Sequence, residues 1–131
     1  MIAQSQAIAR FAGSLSGCYP TTNPLEAAKV DEILSAMEEI ADAASPSYYV
    51  EDQEIVKNMR LKLEQKVFPH KFGLIEKRIG KTAGPFLLGS KLTIADLSIY
   101  VYMRKIKLGY MLYISTTYFD PYQTLWRYIM L

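Results

Sequence analysis

At 131 residues and 14.9 kDa the chain has the size of one domain, enough to bury roughly two-thirds of the surface that its unfolded form exposes. Half of the residues are apolar, 21% are charged, and 7 Gly and 6 Pro are no excess, so neither a disordered nor a collagen-like chain fits. One cysteine, Cys18, closes no internal disulfide, which excludes a stapled secreted scaffold and points to a reducing, cytoplasmic setting; with a single histidine, His70, no zinc-type ligand cluster can form, carboxylate sites for Mg or Ca stay open by composition, and no metal is expected.

The net charge of +2 hides an asymmetry: residues 1–50 hold two basic and six acidic side chains, and the remaining basic residues lie beyond them. Lys57, Arg60, Lys62, Lys66, Lys77, Arg78 and Lys81 are spread in the manner of solvated helix faces. Only Arg104, Lys105 and Lys107 cluster, without a helix-turn-helix or RNA-binding pattern, so no nucleic-acid partner is expected. The longest uncharged stretch, Phe11 to Leu25, is rich in Ser, Thr, Gly and Pro, and no membrane partner is expected either.

In chain order, Ile8, Phe11, Ala12 and Leu15 recur at i, i+3, i+4 and i+7, predicting a first helix over Ser5 to Leu15 that Gly17 and Pro20 end. Asn23-Pro24-Leu25-Glu26 is a helix start in which Asn23 caps, Pro24 suits the first turn and Glu26 reaches back to the cap amide. Val30, Ile33, Met37 and Ile40 then form an inward stripe to about Ala43, before Ser45-Pro46. A third helix from about Glu51 carries Ile55, Val56, Met59 and Leu63 inward. It should kink or break at Pro69, which lacks an amide proton and crowds the preceding turn. Phe72, Ile75 and Ile79 resume the helical spacing, and Gly80 is placed to close the helix in the left-handed conformation.

Ile94 to Met103 alternates as a strand would, but its flank decides for a helix. Thr93 as cap, Asp96 three residues on, and Leu92 facing Leu97 make a capping box and a hydrophobic staple, a pairing that only a helix start uses. A helix so apolar on every side should be central and buried. The tail is aromatic, with Tyr110, Tyr113, Tyr118, Phe119, Tyr122, Trp126 and Tyr128, and Asp120-Pro121 suggests one more short helix. The expected fold is an all-α bundle of five or six helices forming one domain over residues 1–131.

Four segments resemble the C-terminal helical domain of cytosolic glutathione transferases, most of all the sigma type: Gln4-Ser5-Gln6-Ala7-Ile8-Ala9-Arg10-Phe11, Glu26-Ala27-Ala28-Lys29-Val30-Asp31, Phe86 to Leu97, and Phe119-Asp120-Pro121-Tyr122. The resemblance implies a thioredoxin-like domain ahead of this one, carrying the catalytic Tyr or Ser and most of the glutathione site; that domain is not in this sequence, and no catalytic residue is expected here. It also implies that Gln4 and Ser5 bind the γ-glutamyl part of glutathione, as a hydroxyl and amides at a helix start suit a carboxylate. An acidic residue on the partner subunit's long helix would meet the γ-glutamyl amino group, and Glu39 matches that position best, with Glu38 beside it. Arg10 matches a family arginine with a junction or interface role, and Leu92, Thr93, Asp96 and Leu97 become structural.

On this resemblance the chain supplies the electrophile-side wall, part of the γ-glutamyl site and dimer contacts for conjugation of glutathione, a co-substrate, to small hydrophobic electrophiles. Alone it should be inactive. The alternative is a non-catalytic helical interaction module. The late tyrosines fit an electrophile pocket or an aromatic core, and no Ser-His-Asp or Cys-His arrangement can be built around His70 alone. The faces of the first and central helices that an adjoining domain would cover should lie open, favouring self-association.

Overall fold

The computed structural model describes residues 1–129; Met130 and Leu131, the end of the aromatic tail, lie outside the described residues. Six α-helical segments occur among them: α1 (Ser5–Ser16), α2 (Pro24–Ala44), α3 (Gln53–Lys62), α4 (Phe68–Ile79), α5 (Ile94–Lys107) and the single turn α6 (Trp126–Ile129). A 3₁₀ turn, Ser45–Tyr48, follows α2, and a π-helical turn, Leu63–Val67, joins α3 to α4. The described residues contain no strand beyond the isolated bridges Phe86 to Gly89 and Leu88 to Lys91 in the loop before α5. The chain is an all-α bundle.

Local chemistry sets the two longest helices. The Asn23 side-chain oxygen accepts from the amides of Leu25 and Glu26, each at 3.1 Å, and the predicted stripe Val30, Ile33, Met37 and Ile40 is buried, joined by Leu34 and Ala44. Glu26 does not complete a box with the Asn23 amide; Asn23 alone caps α2. At α5 both halves of the capping box are present: Thr93 Oγ1 accepts from the Asp96 amide at 3.5 Å, and Asp96 Oδ2 accepts from the Thr93 amide at 2.8 Å and its hydroxyl at 2.6 Å. Asp96 Oδ1 accepts from the Leu87 amide at 2.8 Å and the Tyr128 hydroxyl at 2.6 Å, so one carboxylate ties the preceding loop, the start of α5 and α6 together. Burial and this bond push the Tyr128 hydroxyl well above the ordinary tyrosine range.

Ile99, Met103 and Ile106 of α5 meet the α2 stripe and Phe72, Ile75 and Ile79 of α4 in one core, each fully buried side chain contributing about 1.5–3 kcal/mol. Tyr118, Phe119, Tyr122 and Tyr128 complete it, while Tyr110 and Tyr113 lie exposed. Phe68, Phe72, Tyr118, Phe119 and Tyr122 pack edge to face, with Phe72 and Phe119 centroids 4.8 Å apart, which decides for the aromatic core over a pocket lining. No helix starts at Asp120-Pro121; that stretch is turns, and α6 begins only at Trp126 because the Glu76 carboxylate of α4 accepts the amides of Thr124 and Leu125, at 2.6 and 2.8 Å.

Several predicted faces differ from those observed. Ile8, Phe11, Ala12 and Leu15 point to solvent, Leu15 with 75% of its surface exposed, and α1 instead leans on α5 through Gly13. A Cβ there would lie 2.9 Å from Ile94 Cγ2 and 2.9 Å from Tyr19 Cβ, so only glycine admits the crossing. Gly17 ends α1 in the left-handed conformation, φ 77°, whereas Gly80 keeps a right-handed helical φ of −61°. In α3, Ile55 is exposed and Arg60 buried, the reverse of expectation. Pro69 neither breaks nor ends the helix: the Phe68 amide bonds to the Leu63 carbonyl five residues back, and the widened turn moves the carbonyl that the proline ring would strike. α5 is buried along one side only, with Leu97 and Val101 open and Val101 63% exposed.

Candidate functional site

The N-terminus of α1 opens onto a groove of about 560 Å³ between α1, α2 and α5. Ser5, Gln6 and Ala9 form one wall. Leu34, Met37, Glu38, Ala41 and Asp42 of α2 form the second, and Ile94, Leu97, Ser98, Val101 and Tyr102 of α5 the third. Three- and four-residue spacing places these side chains on single helix faces, which explains how three helices create one trough.

The geometry at the mouth is unusual. Gln4 holds φ 74° and ψ 123°, a combination outside the allowed regions for a side-chain-bearing residue that costs on the order of 1–3 kcal/mol. It turns the chain into α1 with no side-chain cap, and the first intrahelical bond is Ile8 N–H to Gln4 O at 3.0 Å. The amides of Ser5, Gln6 and Ala7 are therefore open donors at the positive end of the helix dipole. Across the trough, Glu38 and Asp42 sit one turn apart on α2 as its acidic edge. Such a site can hold a zwitterion with carboxylate and ammonium at opposite walls, beside an apolar floor.

Two residues of the groove wall carry unpartnered polar atoms: Gln6 Oε1 and the Tyr102 hydroxyl are sealed from solvent and make no hydrogen bond. Burial is the largest cause lifting Tyr102 above the ordinary tyrosine range, and its ring packs on Phe68 and Phe72 of the core, so its hydroxyl stays neutral beneath the groove wall. Both were missed from sequence: Gln6 was one letter of a longer motif, and Tyr102 one of ten tyrosines.

The residues expected to act together are only partly brought together. Ser5 lines the groove and Gln4 adjoins it, exposed. Glu39, expected to serve the partner subunit's site, lies outside this chain's groove; its side chain is 61% exposed and pairs with Lys71 of α4. Thr93 and Asp96 are buried beneath the loop before α5, while Leu92 and Leu97 border a smaller apolar hollow of about 210 Å³ with Phe86 and Tyr100. Arg10 bonds through Nε to Asp31 Oδ1 at 2.8 Å, and Tyr19 donates to Asp31 Oδ2 at 3.0 Å, pinning α1 to α2. The bond to Asp31 is the largest cause raising Arg10 above its usual value, while burial, ahead of that bond, raises Tyr19. Among the described residues no three His, Cys, Asp or Glu side chains converge to hold a metal ion, and no helix is long and apolar enough to cross a membrane.

Residues 38–129 match the family model described as "Glutathione S-transferase, C-terminal domain". The chain belongs to this family. Its fold is that of the structure of prostaglandin synthase D of Nilaparvata lugens, with a TM-score of 0.81 at 20% identity, covering 97% of this chain and 60% of that one. The chain thus spans 60% of the length of the solved relative. No curated protein matches the sequence. The glutathione transferase C-terminal domain is accordingly the frame within which α2, α4 and α5 build the core and α1 forms the lip of the groove.

Proposed function

We propose that the chain is the helical half of a glutathione-conjugating site, one domain over residues 1–131 that supplies the wall for a small hydrophobic electrophile and part of the seat for the γ-glutamyl end of glutathione. The observation that carries this reading is the uncapped first turn of α1, strained at Gln4 and open at Ser5, at the mouth of an apolar groove. Ser5 and the neighbouring amides would take the γ-glutamyl carboxylate, with Gln4 placing them. Glu39 of a partner subunit's long helix, freed from Lys71, would take the ammonium, and Glu38 stands on the groove side of the same helix. Leu34, Met37, Leu97 and Val101 would exclude water from the electrophile, leaving the thiolate unsolvated and more reactive. Thiol activation needs a donor to the ionised sulfur, which the resemblance assigns to a thioredoxin-like domain. The 131 residues alone should therefore not turn over.

Two measurements test this. Glutathione and a chromogenic aryl halide should give no conjugate above the uncatalysed rate with the purified chain; clear turnover would show that the second domain is dispensable. Added glutathione should shift the amide resonances of Ser5, Gln6 and Ala7, and Ser5→Ala should weaken that response; unmoved first-turn amides sink the γ-glutamyl seat.

A second reading, a non-catalytic interaction module, is favoured by the open apolar side chains Ile8, Phe11 and Leu15 on α1. Genomic sequence upstream of Met1 discriminates. A thioredoxin-like half in frame supports the conjugating site, and its absence supports the module.

A further inference from the structure

At the end of the bundle where α2 finishes and α3 starts, the 3₁₀ turn Ser45–Tyr48, α3 and the last turn of α5 meet around the ring of Tyr48. Arg60 is carried inward there with only 4% of its surface exposed. Its Nε donates to Ser47 Oγ, whose own hydrogen goes to the Ala44 carbonyl at 2.6 Å, and its guanidinium carbon lies 4.4 Å from the Tyr48 ring centroid. The Lys105 ammonium lies 4.5 Å from the same centroid and donates to Tyr48 Oη at 2.6 Å.

Among the described residues neither cation has a carboxylate within ion-pairing distance. The ion pairs that do form, Arg10 with Asp31, Lys71 with Glu39, Arg78 with Glu32 and Lys107 with Asp120, all lie elsewhere. A buried positive charge is costly without a counter-charge, and two on one ring repel, a penalty that the ring's negative face only partly offsets. The protein uses only Nε of Arg60, leaving the two Nη groups, the fork that grips planar oxyanions, without a protein partner. Three residues before Lys105 on α5, the Tyr102 hydroxyl is sealed and unpartnered; burial raises it most, and the nearby Arg60 charge works the other way.

We infer that this corner is an oxyanion site, with Arg60 as its floor and Lys105 and Tyr48 as its rim, that takes the carboxylate or phosphate group of a small ligand. An anion held by the free Arg60 fork at this corner supplies the counter-charge that the fold leaves out and lowers the repulsion between the two cations. Tyr48 fixes both cations on its ring, and Lys105, half-buried on the rim, leaves the site open to solvent. The site is separate from the first turn of α1 and stands whether or not glutathione binds there.

The test uses the full chain with inorganic phosphate and, in a second arm, acetate, each compared with chloride at constant ionic strength by calorimetry and by amide shifts. Phosphate or acetate should bind and move the Ser47, Tyr48 and Lys105 signals, while those of Ser5 to Ala7 stay in place. Phosphate alone binding assigns a phosphorylated ligand, and acetate alone a carboxylic acid. Lys105→Met, which keeps the stem and removes a rim charge, should weaken binding about tenfold, the loss of one charge-assisted hydrogen bond. Arg60→Met should abolish it. Should Arg60→Met fail to fold, Lys105→Met decides. Equal affinity in Lys105→Met and the parent chain, or the same response to chloride, overturns the site.

Discussion

Asp96 offers the sharpest test of how the bundle is held, because one buried carboxylate, 1% exposed, serves four donors. In Asp96→Ala the amides of Leu87 and Thr93 and the hydroxyls of Thr93 and Tyr128 lose their acceptor while remaining buried. Each stranded donor costs about 1–3 kcal/mol, so the sum approaches the ~5–15 kcal/mol that holds a typical domain together. Asp96→Asn keeps the shape but sets an amide group against either the Thr93 amide or the Leu87 and Tyr128 donors, for a loss of about 2–3 kcal/mol. Thr93→Ala, whose cap bond is already long at 3.5 Å, should cost about 1 kcal/mol. Tyr128→Phe should cost about 1 kcal/mol and act chiefly on α6. Urea denaturation followed by circular dichroism reads the whole bundle, while fluorescence of Trp126, the single tryptophan, reads α6. The Thr93 and Asp96 changes share bonds, so the double variant should lose less than the two losses combined. A stability of Asp96→Asn within about 0.5 kcal/mol of the parent would refute the claim that this carboxylate joins loop, helix and tail.

Alkaline pH should unfold the chain. Burial raises Tyr102, Tyr118 and Tyr128 above their unfolded value of 10.0, so between that value and their folded ones the unfolded state sheds protons that the native state keeps. Their contribution is fully present below pH 10 and is lost as pH rises, by at most about 1.4 kcal/mol per pH unit per tyrosine, and a urea midpoint unchanged between pH 9 and pH 11 would contradict it. The open side chains Ile8, Phe11 and Leu15 should make the chain self-associate at tens of micromolar; light scattering should show dimers or larger species that Phe11→Ser with Leu15→Ser returns toward monomer. A well-behaved parent monomer would count against that.

How much was legible in the sequence depended on whether the deciding partner was local. Asn23 and the Thr93–Asp96 pair act within three residues, so α2 and α5 started where expected. The spacing of Ile8, Phe11 and Leu15 identified an apolar face on α1, but spacing cannot say that the bundle leaves it uncovered and takes Ala9 and Gly13 instead. The fault in α3 was one of residue type. The buried stripe Val56, Arg60 and Leu63 keeps ordinary three- and four-residue steps but includes a charged residue, so a reading that follows only apolar letters put Ile55 inside and Arg60 outside. The cap of α6 comes from Glu76, 48 residues from Thr124, and nothing near Asp120 signals it. At the groove, Ser5 could be found from its position at a helix start. The separation of Glu38 from Glu39 could not, since adjacent residues point about 100° apart and the choice of face depends on where α1 and α4 lie.

Leu63 and Phe68 both reach the core although five positions separate them, and Pro69 follows at once. The helix here holds one residue too many and one ring that does not fit, and each irregularity accommodates the other. Shortening this stretch by one position would restore ordinary winding and drive the proline into its neighbour's oxygen; replacing the proline alone would leave a bulge with nothing to relieve. The two positions therefore form a coupled unit, and a variant that changes one should be rescued by changing the other.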